Sequence, residues 1–281
     1  TGTTTLQNCL SINQRFLNNN GFGILESAGK GNNRKLAAFC MDDNNVDDFI
    51  ISNRLTNSKS RTYFRMQLEK ELEDEITELR NQVHTVIISS EHFHSRLFSD
   101  KEVKNLKKLL SKYFTDIDVV VYLRRQDLVA LSLFSTACKV GYSEPKIFPP
   151  QINEDNPYYN YELLLGKWAR IFGEDKITPV LFDKQNLNNQ DLITDFFTHL
   201  NVKKEIQSKI VKPAIQNSSL SWQVQLVLLS FNKIFSQENY KKNTNFNLLR
   251  NKLWTKLNSI YTEKSIMPAR AEAVRFYKLF E

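Results

Sequence analysis

Apolar residues recur along this chain at two spacings, every third or fourth position and in short unbroken runs, and the alternation of the two predicts its elements. Leu6, Cys9, Leu10, Phe16 and Leu17 form a helical stripe that ends at Asn18-Asn19-Asn20-Gly21, a run that favours turns and left-handed backbone. Phe22 to Leu25 then reads as a short strand. From Gly29 to Asn57 the chain is rich in Asn and Asp with patchy periodicity. That predicts a surface excursion around a short helix at Arg34 to Cys40, with Asp42, Asp43, Asp47 and Asp48 as solvated loop rather than metal ligands. Phe64, Leu68, Leu72 and Ile76 predict a helix that hands over to a strand at Val83 to Ser89. Ser99-Asp100-Lys101-Glu102 is a capping box for a helix whose stripe is Val103, Leu106, Leu110 and Tyr113. Ile117 to Leu123 is nearly all apolar, as a strand covered on both faces should be. Helices follow at Asp127 to Lys139 and Tyr161 to Phe172, separated by a Pro-containing loop from Pro145 to Pro157, and a fourth strand at Ile177 to Phe182.

Helix and strand in alternation, joined by short crossovers, predict an α/β fold with a central parallel sheet flanked by helices and right-handed connections. Beyond Asp191 the chain turns helical, with stripes at Val224, Leu228, Phe231 and Phe235 and at Leu249, Leu253 and Leu257. A single domain over residues 1–281 is expected, with 202–281 as its helical C-terminal portion. At 281 residues and 41% hydrophobic content the chain can bury a large core. No apolar run approaches the roughly 20 residues of a membrane span and no signal peptide is visible, so a cytoplasmic protein is expected. Cys9, Cys40 and Cys138 are odd in number and far apart, and read as reduced core residues. Trp168, Trp222 and Trp254 sit at helical spacings and read as core. The net charge of +7 is concentrated at the end, where Lys241 to Glu281 holds nine Lys or Arg against three Glu, so either an anionic partner or a solvated basic face is expected there.

Candidate chemistry starts at the first residue. Thr1-Gly2-Thr3-Thr4-Thr5 runs into the first helix, and a hydroxyl-rich turn at a helix start aims backbone N–H groups and the positive end of the dipole at one spot, which suits a phosphate; an ordinary N-cap is the alternative. Ligands of open parallel sheets sit at the carboxyl ends of the strands. The residues there are the Thr turn, Ser90-Glu91-His92-Phe93-His94 and Arg124-Arg125-Gln126-Asp127, which are expected to converge on one crevice. Arg124 at a strand end and Ser132 eight residues on, in the next helix, can together grip a second phosphate.

Here a family comes into view. Tyr122-Leu123-Arg124-Arg125-Gln126-Asp127-Leu128-Val129-Ala130-Leu131-Ser132 resembles the 3′-phosphate-binding motif of sulfotransferases, in which Arg and Ser stand eight apart after a parallel strand. Thr1-Gly2-Thr3-Thr4-Thr5-Leu6-Gln7 resembles the 5′-phosphosulfate loop of the same family, in the form of the bacterial members that open Lys-Thr-Gly-Thr-Thr. Trp168-Ala169-Arg170-Ile171-Phe172-Gly173, Leu181-Phe182-Asp183 and Asp195-Phe196-Phe197 follow the order of that group, so the resemblance covers most of the first 200 residues. One departure is plain: the loop Lys of the family, and the strand before it, would precede Thr1. The natural protein is therefore expected to be longer.

The resemblance implies a P-loop NTPase-like sulfotransferase fold and the cofactor 3′-phosphoadenosine 5′-phosphosulfate (PAPS), with 3′-phosphoadenosine 5′-phosphate (PAP) as product. It implies that the loop Thr1 to Thr5 holds the 5′-phosphate through the amides of Gly2, Thr3, Thr4 and Thr5 and the hydroxyls of Thr3 and Thr4. Arg124 and Ser132 would hold the 3′-phosphate, no metal would be needed, and a carbohydrate hydroxyl is the implied acceptor. The base that takes the acceptor's proton is expected at a neighbouring strand end. Glu91 is the first choice and His92 and His94 are its rivals, since related sulfotransferases use Glu or His and a His needs less tuning near neutral pH. Arg125 is as readily a surface ion pair as a cofactor contact, and Asn217 to Ser221 reads as a polar loop or a cap before Trp222. Two other functions compete. A nucleotide kinase or NTPase would end its Walker loop at Thr1 to Thr5 and hold magnesium through Glu91, although Gly2 is followed by Thr3 rather than Lys. A polyanion-binding module would use the tail from Lys241 to Lys278, which carries no recognised nucleic-acid motif.

Overall fold

The opening apolar stripe does not fold as one helix, because Asn13 at its middle is buried and hydrogen-bonded to a distant segment. In the computed structural model, which describes residues 2–214, 220–235 and 244–281, α1 spans Thr3–Ile12 and α2 spans Gln14–Asn18. Asn13 Nδ2 donates to the carbonyls of Cys9 and Val211, both at 2.8 Å, while Oδ1 accepts from the Val211 amide at 2.9 Å. A side chain held this way takes the backbone out of helical torsions, here φ −103° and ψ 6°.

Most of the remaining elements follow the periodicity, and short helices at Asp48–Ser52 and His92–Arg96 stand where no stripe was read. β1 (Phe22–Ile24), α3 (Arg34–Cys40), α4 (Asp48–Ser52), α5 (Ser58–Leu79), β2 (Thr85–Ile87), α6 (His92–Arg96), α7 (Asp100–Leu110) and β3 (Val119–Leu123) succeed one another. After them come α8 (Gln126–Lys139), α9 (Tyr161–Phe172), β4 (Ile177–Leu181), α10 (Leu192–His199), α11 (Lys204–Gln207), α12 (Trp222–Ile234), α13 (Thr244–Ile260) and α14 (Arg270–Tyr277). No helix among the described residues is long and apolar enough to cross a membrane. The chain divides into two compact units, one of Thr1–Leu123 with Asn160–Gln216, the other of Arg124–Tyr159 with Asn217–Glu281.

The first unit is mixed α/β with two small parallel sheets. β1 pairs with β2 in the register Phe22 to Thr85 and Ile24 to Ile87, and β3 pairs with β4 from Val119 to Ile177 through Leu123 to Leu181. The expected central sheet is thus present as two pairs; among the described residues no further strand joins them. Both pairs nevertheless divide their side chains between the same two cores. Val86 of β2, Ile88 just after it and Val119, Val121 and Leu123 of β3 pack with α3, α5, α7 and α9. Ile24, Ile87 and Tyr122 pack with α1 and α10. Alternate residues of a strand point to opposite faces, so helices cover both sides of each pair, as buried parallel strands require.

The segment read as a surface excursion is instead part of the core: Leu36, Ala37, Ala38 and Cys40 of α3 are buried among α5 and α7 residues. Its acidic residues do not share one environment either. Asp48 is solvated, whereas the Asp47 side chain is 13% exposed and takes hydrogen bonds from the buried Arg34 and, at 2.7 Å, from Arg96. The capping box of α7 is present as read, with Ser99 Oγ accepting from the Glu102 amide and the Glu102 carboxylate accepting from the Ser99 amide at 3.0 Å. Glu102 also accepts from the Asp42 amide at 2.9 Å and from Asn45 Nδ2 at 2.7 Å, which pins the loop after α3 to the start of α7.

That carboxylate carries an acid-dependent share of the stability. Burial alone would raise its pKa, but the amides of Asp42 and Ser99, the Ser99 hydroxyl and Asn45 hold it below the usual carboxylate range. A depressed folded-state pKa gives stability that is complete above the unfolded value, about 4.3, and is lost as pH falls through the folded one. Glu102→Gln is expected to cost about 1–3 kcal/mol at pH 7 and to flatten the stability profile below about pH 4. Urea titrations at pH 7 and pH 3 check both; an unchanged acid limb would remove the linkage.

The second unit is helical. Phe134 and Cys138 of α8 pack against Val224, Leu228 and Leu229 of α12 and against Leu253, Trp254 and Leu257 of α13. Ala130, Tyr159 and Phe276 form a smaller cluster in which Phe148 stacks on Phe276 at 4.6 Å. The three cysteines are free and buried, as expected. Two tail expectations change. Trp222 is 46% exposed, since Ser221 caps α12 and leaves Trp222 on the first turn. Leu249 is also exposed, because the inward face of α13 runs through Arg250, Leu253, Trp254 and Leu257. Arg250 is wholly buried, donating to Asn232 Oδ1 and the Phe235 carbonyl at 3.0 Å, so the basic tail is in part internal.

Candidate functional site

α1 starts at a glycine that nothing else could replace without strain. Gly2 caps it at φ +69°, and a Cβ there would collide with Leu192 and come within 3.2 Å of the Phe182 ring. Phe182 directly follows β4 and its amide donates to the Leu123 carbonyl at 2.6 Å, so the start of α1 lies against the carboxyl end of the β3–β4 pair. The first bond of the helix runs from the Leu6 amide to the Gly2 carbonyl at 3.0 Å. The amides of Thr3, Thr4 and Thr5 precede it, the first turn carries no acidic residue, and Gly2 supplies no side-chain cap. The dipole of a ten-residue helix therefore ends in amides and threonine hydroxyls, a donor set that suits a phosphate. Thr1 lies outside the described residues.

One turn along α1, about 6 Å from Thr3 by the helical rise, Gln7 Nε2 donates to Glu91 Oε2 at 2.9 Å. Glu91 stands four residues beyond β2 and caps α6 with its carboxylate 44% exposed. α1 thus bridges the carboxyl ends of both strand pairs, with the Thr turn at one and Glu91 at the other. Asn33 braces the second: in left-handed backbone at φ 46°, it donates from Nδ2 to the Leu25 carbonyl and accepts at Oδ1 from the Ser89 amide, both at 2.9 Å. The turn that presents Glu91 is tied in this way to the end of β1.

His92 is half-buried, and its Nε2 lies 3.2 Å from Asn32 Nδ2 and 3.4 Å from Glu91 Oε1. Burial first, then the charges of Arg34 and Arg96, push its pKa below the ordinary value against the pull of Glu91, so the ring is neutral near pH 7. Nε2 faces one donor, Asn32 Nδ2, and one acceptor, Glu91 Oε1. His94 turns its ring toward Tyr161, centroids 6.5 Å apart. Among the described residues no three His, Cys, Asp or Glu side chains are grouped to hold a metal ion.

Arg124 and Ser132 belong to the second unit, Arg124 just ahead of α8 and Ser132 on its second turn, both partly buried. Arg125 makes a bidentate ion pair with Asp127 at 2.7 and 2.9 Å, the surface role left open for it. Asn217 to Ser219 and Lys241 to Asn243 lie outside the described residues.

Sequence reasoning missed Gln7, Asn33 and Arg34. Gln7 sits on the polar face of an amphipathic helix, where any residue is expected, and only its approach to a carboxylate 84 positions away singles it out. Asn33 had a local sign, an Asn before a helical stripe, which reads equally as an ordinary cap. The protein-family models, the curated proteins and the solved structures gave no match to this chain.

Proposed function

We propose that this protein is a sulfotransferase of the P-loop sulfotransferase fold, moving a sulfuryl group from PAPS to a carbohydrate hydroxyl. One observation carries the reading: a glycine-led, hydroxyl-rich helix start whose own helix is hydrogen-bonded, one turn on, to a carboxylate at a neighbouring strand end. That is the order a transferase needs, with donors for a leaving phosphate beside a base for the acceptor. The fit is supported by Gly2, whose left-handed backbone leads into α1 at a place where any Cβ would clash. The sequence likeness of Arg124 and Ser132 to a 3′-phosphate motif is the second support.

When bound, PAPS supplies the sulfuryl group, which passes in line to the acceptor oxygen as PAP departs. The chain's own tasks are positional and electrostatic. Amides and hydroxyls of Thr3, Thr4 and Thr5 hold the 5′-phosphate and stabilise the charge it gains on leaving, and Arg124 and Ser132 hold the 3′-phosphate. Glu91 accepts the acceptor hydroxyl proton, and Gln7 fixes the carboxylate rotamer by donating to Oε2, with Oε1 3.4 Å from His92 Nε2.

Calorimetric titration with PAP, and separately with ATP and magnesium, tests the reading. Metal-independent binding of PAP is expected, weakened at least about thirtyfold in Arg124→Ala through loss of a charge-assisted phosphate contact. Preference for ATP with magnesium would move the protein to the kinase reading. Binding of neither would favour a non-enzymatic role, and unchanged PAP affinity in Arg124→Ala would remove the 3′-phosphate assignment.

A further inference from the structure

Within the first unit a groove opens where α1 passes the carboxyl ends of β1 and β2, the place where ligands of parallel sheets sit. Ile24 and Ile87, the last residues of those strands, and Leu10 of α1 give it an apolar lining. It measures about 340 Å³ counting the open space at its mouth. Gln7 lines it and donates to Glu91 at 2.9 Å, so the groove lies beside the carboxylate assigned as base. Three other polar residues of its lining, Ser11, Gln14 and Ser89, make no side-chain hydrogen bond to another described residue. A few unengaged polar groups around an apolar patch are the composition of a ligand site.

We propose that this groove binds the acceptor as an uncharged sugar ring, with one of its hydroxyls beside Glu91. Amide and hydroxyl side chains both donate and accept, and so does each hydroxyl of a sugar, whereas a carboxylate or sulfate can only accept. The C–H face of the ring matches the aliphatic lining. The charges select against an anion. Lys30 and Glu26, the charged residues of the lining, offset each other at 3.6 Å. Two carboxylates then remain in contact with the lining: Glu91 on Gln7, and Glu75, which accepts from the Glu26 amide at 2.8 Å. Behind Glu91, Arg34 and Arg96 are matched by Asp47 and Asp48. An acidic sugar placed here would meet like charge, and a neutral one would not.

Calling this ring the acceptor rests on the transferase reading, whereas its binding does not, and one set of titrations separates the two. Protein labelled with ¹⁵N is titrated with methyl β-D-glucoside and with the anionic methyl β-D-glucuronide while the side-chain amides of Gln7 and Gln14 and the backbone amide of Ser89 are followed by NMR, and PAP is titrated into the same samples. Saturable shifts of these signals with the glucoside are expected, with the glucuronide at least about tenfold weaker. Ser11→Trp places a large ring at an exposed position on the groove, and is expected to weaken glucoside binding at least about tenfold while leaving PAP affinity and circular dichroism unchanged. Should that variant unfold, the comparison of the two sugars on the unaltered protein remains decisive. No shift with the glucoside, equal affinity for both sugars, or a folded Ser11→Trp variant that binds the glucoside as the parent does overturns the proposal. Glucoside binding without PAP binding keeps the groove as a sugar site and removes the transferase reading; PAP binding without glucoside binding does the reverse.

Discussion

Glu91→Gln is expected to lower sulfuryl transfer about a thousandfold while leaving PAP affinity and the fold unchanged. The substitution keeps shape and keeps an oxygen to accept from Gln7 Nε2, so the 2.9 Å link between α1 and the turn after β2 survives. What it removes is the lone pair that can take a proton, and loss of a positioned general base costs about 10²–10⁴ in rate. The turn itself is held by backbone and by Asn33 rather than by the carboxylate, so a folding defect is not expected. Single-turnover assays with PAPS and a panel of sugar acceptors, next to calorimetry with PAP, separate chemistry from binding. A variant with near-normal turnover would shift the base to His92 or His94.

The largest expected loss of stability is at Arg61, which no pattern in the sequence singles out. Its side chain lies within the first unit, 2% exposed, and donates from Nε to the Leu55 carbonyl at 3.0 Å, from Nη1 to the Asp42 carbonyl at 2.9 Å and from Nη2 to the Asn45 carbonyl. One guanidinium thus closes the loops on both sides of α4 onto α5. Arg61→Ala leaves three carbonyls without that donor and opens a cavity where a large side chain stood, and is expected to cost about 4 kcal/mol. That is a sizeable part of the 5–15 kcal/mol that typically holds a folded protein. Arg61→Lys, with one ammonium in place of a three-pronged fork, should fall between the two. Urea unfolding followed by circular dichroism checks the order; an Ala variant within about 1 kcal/mol of the parent would show that water takes over the three carbonyls.

Features that depend on residues within a turn or two of each other were legible. α3 and α9 have the bounds read from their stripes, and the Ser99 to Glu102 box caps α7 through both of its reciprocal bonds. Helix periodicity and capping are set by local sterics and hydrogen bonding, so a single sequence carries them. The same reasoning put Glu91 just after the second strand, and the structure has it four residues beyond β2, at the start of α6.

Reading failed where a residue's role depends on a partner far along the chain. Asn13 reads as one more helical position, and its break follows from Val211, 198 residues away. Asp47 looks like its solvated neighbours until Arg34 and Arg96 close on it, and Arg250 counts as surface charge until Asn232 and Phe235 take its protons.

The sequence by itself determined most of the helices, the apolar strands, their order and the hydroxyl-rich start of α1, because these follow from spacing and from the chemistry of adjacent residues. Only the tertiary structure decided that the strands form two parallel pairs sharing two cores, that Gln7 meets Glu91, and that Arg34 and His92 each keep a buried nitrogen without a hydrogen-bond partner. Those outcomes depend on which surfaces meet and on how much water they exclude. Burial makes an unpaired donor or charge costly, and it is set by the whole packed chain rather than by any stretch of it.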